Sequence, residues 1–133
     1  NVSEEAKLNV PGATDAQRFA QVAELYAALD AHLDDLGRPR NEVLKSHFTS
    51  MLVLAPTQEE ADQRADSCDT SKSTSAGARS NGRAFLASAS VDRAIAYYQG
   101  LRDAGAQYFV VQVEQDDTET MLLLADAVMP NVE

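Results

Sequence analysis

The feature that most constrains the fold is the run Tyr108 to Val113, YFVVQV, which is almost continuously apolar. It follows a helical segment stopped at Gly105 and precedes an acidic stretch, Asp116-Asp117-Thr118-Glu119, of the kind that opens a helix. Helix, glycine stop, buried strand and capped helix together form the ending of a parallel α/β sheet. A strand apolar on both faces needs parallel neighbours at its sides and helices above and below it. Only one other good strand is visible, near Phe48 to Leu54, ending in the apolar MLVLA. The chain therefore reads as part of a larger assembly.

The rest of the chain supplies helices around those strands. Thr14 with Gln17 forms a capping box. Phe19, Val22, Tyr26, Leu29, Leu33 and Leu36 then recur at helical spacing and define one core face. Gly37 is placed to end this helix and Pro39 to prevent its resumption. Thr57 and Glu60 form a second capping box before a thin apolar face, Ala61 and Ala65. Residues 67–87 read as a variable polar loop, rich in Ser, Gly and Thr. Ser88 or Ser90 caps a helix whose core face is Val91, Ile95, Tyr98 and Leu101. The final helix is expected to bury Leu122, Ala125 and Val128, helped by Met121 and Met129, and to stop at Pro130. Residues 1–13 read as irregular.

Charge and composition exclude several function classes. The 133 residues carry 21 acids against 11 bases, a net charge of -10. Phosphate backbones and anionic membranes both need clustered Lys and Arg, so neither nucleic acid nor a membrane surface is an expected partner. No apolar run approaches the roughly 20 residues needed to span a bilayer. The single cysteine, Cys68, permits no internal disulfide, which fits a reducing, cytoplasmic setting. Residues 1–9 are polar and do not read as a signal peptide.

Motifs for chemistry are sparse. There is no phosphate loop, GxGxxG, CxxC pair or HExxH. His32 is expected to be exposed on the long helix, and His47 lies in a strand from which it can face a pocket. Two histidines on separate elements do not suggest a metal site. The acidic pairs Glu59-Glu60 and Asp116-Asp117 fall at helix starts, where negative charge is favoured, and Asp34-Asp35 reads as a solvated helix end. Lys72, Arg79 and Arg83 stand out against the acidic background. Three cations on a loop of small residues are candidates to bind a substrate phosphate or carboxylate, with scattered solvated charges as the plainer reading.

The order of these pieces resembles the luciferase-like monooxygenase superfamily, in particular its coenzyme F420-dependent branch. The residues that carry the resemblance are AALDAHLDDLGRPRNEV, TSMLVLAPTQEEADQRA, GRAFLASASVDRAIAYYQGLRDAGAQYFVVQV and ETMLLLADAVMP. It implies the C-terminal part of a (β/α)8 TIM barrel, with about two parallel strands and flanking helices in one partial domain spanning 1–133. A complete barrel takes about 250 residues, so the resemblance implies a fragment or subunit, completed by self-association or a second chain. It further implies an FMN- or F420-dependent oxidoreductase or monooxygenase acting on a small-molecule substrate. Most isoalloxazine contacts in the family come from earlier strands. Arg83 matches a phosphate-gripping Arg by position and Lys72 matches more loosely, while no catalytic residue can be nominated. The competing reading is a non-catalytic small α/β domain serving as an oligomerisation or interaction module.

Overall fold

The computed structural model describes residues 2–3, 13–71 and 88–132. Among them the fold is mixed α/β with short parallel strands. The elements run β1 (Val2–Ser3), α1 (Asp15–Asp35), a 3-10 turn (Arg40–Glu42), β2 (Ser46–Thr49), β3 (Val53–Ala55), α2 (Gln58–Ser71), β4 (Ser88–Ser90), α3 (Val91–Asp103), β5 (Tyr108–Val111) and α4 (Thr118–Leu123). A π-helical stretch, Leu124–Val128, and a 3-10 turn, Met129–Asn131, prolong α4.

Local sequence signals set most boundaries. The Thr14–Gln17 capping box closes in both directions and starts α1. Gly37 (φ +64°) and Gly105 (φ +107°) take the left-handed conformation that ends α1 and α3. Thr57 and Glu60 cap α2 reciprocally, through Thr57 N to Glu60 Oε2 and Glu60 N to Thr57 Oγ1, both 3.3 Å. Ser90, rather than Ser88, caps α3 by accepting from the Arg93 N–H. α2 continues to Ser71, into the segment read as loop from residue 67. Val2–Ser3 forms a short strand inside the stretch read as irregular.

Two parallel sheets form. β2 lies between β1 and β5, with His47 opposite Phe109 and Thr49 opposite Val111. β3 pairs with β4 in a separate two-stranded sheet. The expected single strand over Phe48 to Leu54 is thus broken in two. The break is a β-bulge: Gln112 N–H donates to the Thr49 carbonyl, and the Gln112 carbonyl accepts from Leu52 N–H, both at 2.9 Å. An uninterrupted parallel ladder would bring residue 51 to that carbonyl, so one residue is extra. Met51 absorbs it at φ +50°, a left-handed conformation uncommon for a residue with a side chain.

The core lies between the β2–β5 sheet and the helices α1 and α3. It contains Val22, Tyr26, Leu52, Leu54, Tyr97, Tyr98 and Leu101, all buried. Burying each large side chain contributes roughly 1.5–3 kcal/mol. The α1 stripe holds at Val22, Tyr26 and Leu33, whereas Leu36, beyond the helix end, is exposed. On α3 the buried face is Ala94, Tyr97, Tyr98 and Leu101, with Val91 and Ile95 at its margin. α3 approaches α1 closely at Gly100, where an added Cβ would collide with the Phe19 ring.

Two expectations about burial are corrected. β5 is covered on one face only: Phe109 and Val111 pack on the core, while Tyr108 is 54% and Val110 39% exposed. The last helix turns its Met121, Leu122 and Met129 outward and buries Thr120 and Val128. The Thr120 hydroxyl accepts from the Leu54 N–H, which fixes the rotation of α4, and the wider π turn then carries the inward face on to Val128.

Candidate functional site

In parallel sheets ligands sit beyond the carboxyl ends of the strands. That edge is marked here by Ala55–Gln58 and Glu114–Asp117, and a cleft of about 550 Å³ opens beside it, at the end of β3. α2 supplies Glu60, Gln63, Arg64 and Ser67 to its lining, and Pro56 and Glu119 face them.

Arg64 organises the floor of the cleft. One arm of its guanidinium donates to the Leu54 carbonyl, and the other to Asp117 Oδ1 at 2.5 Å. Glu119 Oε2 lies 3.5 Å from the same group. Asp117 is in turn the N-cap of α4: it accepts from Thr120 N at 3.0 Å and from Thr120 Oγ1 at 2.6 Å. Thr120 Oγ1 accepts from Leu54 N at 2.9 Å and so closes the circuit. The network ties the end of β3 to the middle of α2 and the start of α4. Arg64 is already engaged by carboxylates, and among the described residues the lining adds only the acids Glu60 and Glu119 as further charges. Such a lining suits neutral or cationic groups better than a phosphate.

A second conspicuous surface is the open face of the β2–β5 sheet. Register places Ser46 beside Tyr108 and Phe48 beside Val110, on the side away from α1 and α3. The opposite face carries His47 and Thr49. His47 is 1% exposed and sits edge-on to the Tyr97 ring, with centroids 6.4 Å apart. Burial pushes its imidazole down to about 4. The expectation that His47 faces a pocket is therefore replaced by a place in the core. Tyr98 donates to Thr49 Oγ1 at 3.1 Å on the same face, and Tyr26 donates to the Ser46 carbonyl at 3.0 Å, burial raising its phenol above the ordinary value.

Lys72, Arg79 and Arg83 all lie outside the described residues, as does the Cys68 side chain. His32 is exposed on α1. Of the acidic pairs, Glu60 and Asp117 act as helix caps. Asp34 is more than a solvated end: it forms a bidentate pair with Arg40, whose hydrogen bond holds the carboxyl below its ordinary value. Arg64 was not singled out in the sequence. Its signal was its isolation as the only base in α2. Among the described residues, no group of three or more His, Cys, Asp or Glu could hold a metal ion, and no helix is long and apolar enough to cross a membrane.

No protein-family model matches the chain, and no curated protein or solved structure shows significant similarity to it.

Proposed function

We propose that this chain is the C-terminal part of a luciferase-like (β/α)8 barrel and serves an FMN- or F420-dependent oxidoreductase acting on a small molecule. The observation that carries this reading is the one-sided burial of the β2–β5 sheet. Helices cover the His47–Phe109 face, while Phe48, Tyr108 and Val110 line an apolar face that the described residues leave open. A barrel strand has this division, with helices outside and layered side chains inside. The three strands of that sheet are parallel, with helices between them in sequence, and β1 and β5 flank β2 as consecutive barrel strands would.

On this reading the isoalloxazine would rest mostly on strands beyond those described. Lys72, Arg79 and Arg83 would grip an anionic part of substrate or cofactor. Self-association or a second chain would complete the barrel. Binding of FMN and F420 to the 133-residue chain and to the protein of its full reading frame tests the proposal by fluorescence titration. The full-length protein is expected to bind one of the two, and the 133-residue chain neither tightly. Full-length protein indifferent to both would refute the enzyme reading. It would favour the non-catalytic interaction module, for which the outward Met121, Leu122 and Met129 offer a second contact surface.

A further inference from the structure

We propose that α2 is a lid over the cleft at the end of β3, latched shut by Arg64. The inference does not depend on which cofactor or substrate the protein takes. Among the described residues, little apolar surface holds this helix. Across residues 58–67 the only fully buried side chain is Ala61, with Arg64 and Ala65 half-buried and the rest exposed. The neighbouring α3 is anchored by Ala94, Tyr97, Tyr98 and Leu101, all buried. Among the described residues, a stretch that buries one methyl group belongs to the low-stability end of a structure, where local opening is less costly than global unfolding.

Directional polar contacts do the work instead. Gln58 inserts its side-chain amide at β4, donating to the Ser88 carbonyl at 3.2 Å and accepting from Ser90 N at 3.1 Å. Asp62 accepts from the Ser88 hydroxyl at 2.5 Å. Both lie on the first turns of α2, beside the Pro56-Thr57 connection to β3, and mark where a hinge would sit. Farther along, the Arg64 fork holds the helix to the Leu54 carbonyl and to Asp117. The Asp117 side chain is only 7% exposed, so this pair is shielded from solvent, unlike the Glu119 contact, whose carboxylate is 59% exposed.

The placement gives the latch a consequence. Four of the residues lining the cleft, Glu60, Gln63, Arg64 and Ser67, lie on α2, while Ala55, Pro56 and Glu119 lie on β3, its following turn and α4. Swinging α2 away removes one whole wall. Asp117 does not lose its other partners when that happens, because Thr120 N and Oγ1 still occupy it. The open state therefore strands no carboxylate, and opening is reversible without disturbing the α4 cap.

Native-state hydrogen exchange followed by mass spectrometry tests this on the whole chain, with peptides from 58–67 and from α3 as reference. In the wild type, 58–67 is expected to exchange faster than α3, at rates that low denaturant does not change. Arg64→Met should speed exchange of 58–67 by about tenfold or more, in keeping with the loss of hydrogen bonds to a charged group, and leave α3 unchanged. Asp117→Asn, which retains a capping side chain for Thr120, should do the same more weakly. Glu119→Gln should change it less than about twofold. If Arg64→Met does not fold, Arg64→Lys, which keeps the charge and loses the fork, is expected to give the same selective acceleration. The proposal is overturned if wild-type 58–67 is as protected as α3, if α3 accelerates together with 58–67, or if Glu119→Gln matches Arg64→Met.

Discussion

Acid should weaken this fold through His47 before it weakens it through most carboxylates. The imidazole is 1% exposed, packed against Tyr97 on the helix-covered face of β2. Burial lowers its pKa from 6.5 to about 4. The folded chain thus binds this proton more weakly than the unfolded chain does. Stability is full above the unfolded value, falls as pH drops below about 6.5, and levels off below about 4. Each tenfold difference in proton affinity is worth about 1.4 kcal/mol, so the limiting loss is on the order of 3 kcal/mol. Between about pH 7.5 and about pH 5 the loss should be about 2 kcal/mol. Urea denaturation of wild type and His47→Gln at the two pH values isolates this contribution, because the carboxylates are common to both proteins. The wild type should lose about 2 kcal/mol more than the variant over that interval, whatever the difference in their stabilities at neutral pH. Parallel pH dependences would refute the reasoning. So would an NMR titration of the assigned His47 imidazole centred near the ordinary histidine value.

Two further substitutions probe the packing around the cleft and the core. Thr120→Val removes the acceptor of the buried Leu54 N–H and a donor to Asp117; it should cost about 1–3 kcal/mol in urea denaturation, whereas a change within about 0.5 kcal/mol would show that the circuit is not what fixes α4. Gly100→Ala improves helix propensity by up to about 1 kcal/mol but drives a methyl group into the Phe19 ring. A net loss of about 1 kcal/mol is expected, and combining it with Phe19→Ala should cost less than the two changes summed, a coupling that a double-mutant cycle reads directly.

The parts of the fold legible in the sequence are those decided within a few residues. Capping boxes at Thr14–Gln17 and Thr57–Glu60, and the glycines at 37 and 105, form as the sequence pattern indicates because each is a local hydrogen-bonding or backbone preference. The parallel pairing of Phe48 with Val110 also follows from two apolar runs with helices between them. The break after Thr49 is not legible in the same way. MLVLA is continuously apolar, and nothing in it records that Met51 turns left-handed so that Val53–Ala55 can pair with Ser88–Ser90. The choice depends on a partner strand more than thirty residues away. The rotation of α4 is hidden for a related reason. Hydrophobicity favours Met121 and Leu122 as the inward face, but a single buried hydrogen bond from Leu54 N to Thr120 sets the opposite one. Arg64 escaped notice because its role depends on Leu54 and Asp117, neither of them on its own helix.

The composition of β5 and its environment do not match, and the mismatch bears directly on function. Tyr-Phe-Val-Val is apolar at four successive positions, the pattern of a strand covered on both sides, yet alternate residues are exposed. A strand meant to face water on one side alternates polar with apolar residues. Tyr108 and Val110 do not follow that rule, and Phe48 beside them extends the same apolar surface across to β2. Covering a half-exposed side chain of this size yields on the order of 1 kcal/mol, so Tyr108 and Val110, with a smaller share from the partly buried Phe48, together favour whatever layer can pack there. The chain's charge does not oppose such a layer locally, because no acidic side chain lies on the strand residues of that face, Ser46, Phe48, Tyr108 and Val110. On the barrel reading the covering groups would be interior side chains of the remaining strands, packed opposite α1 and α3.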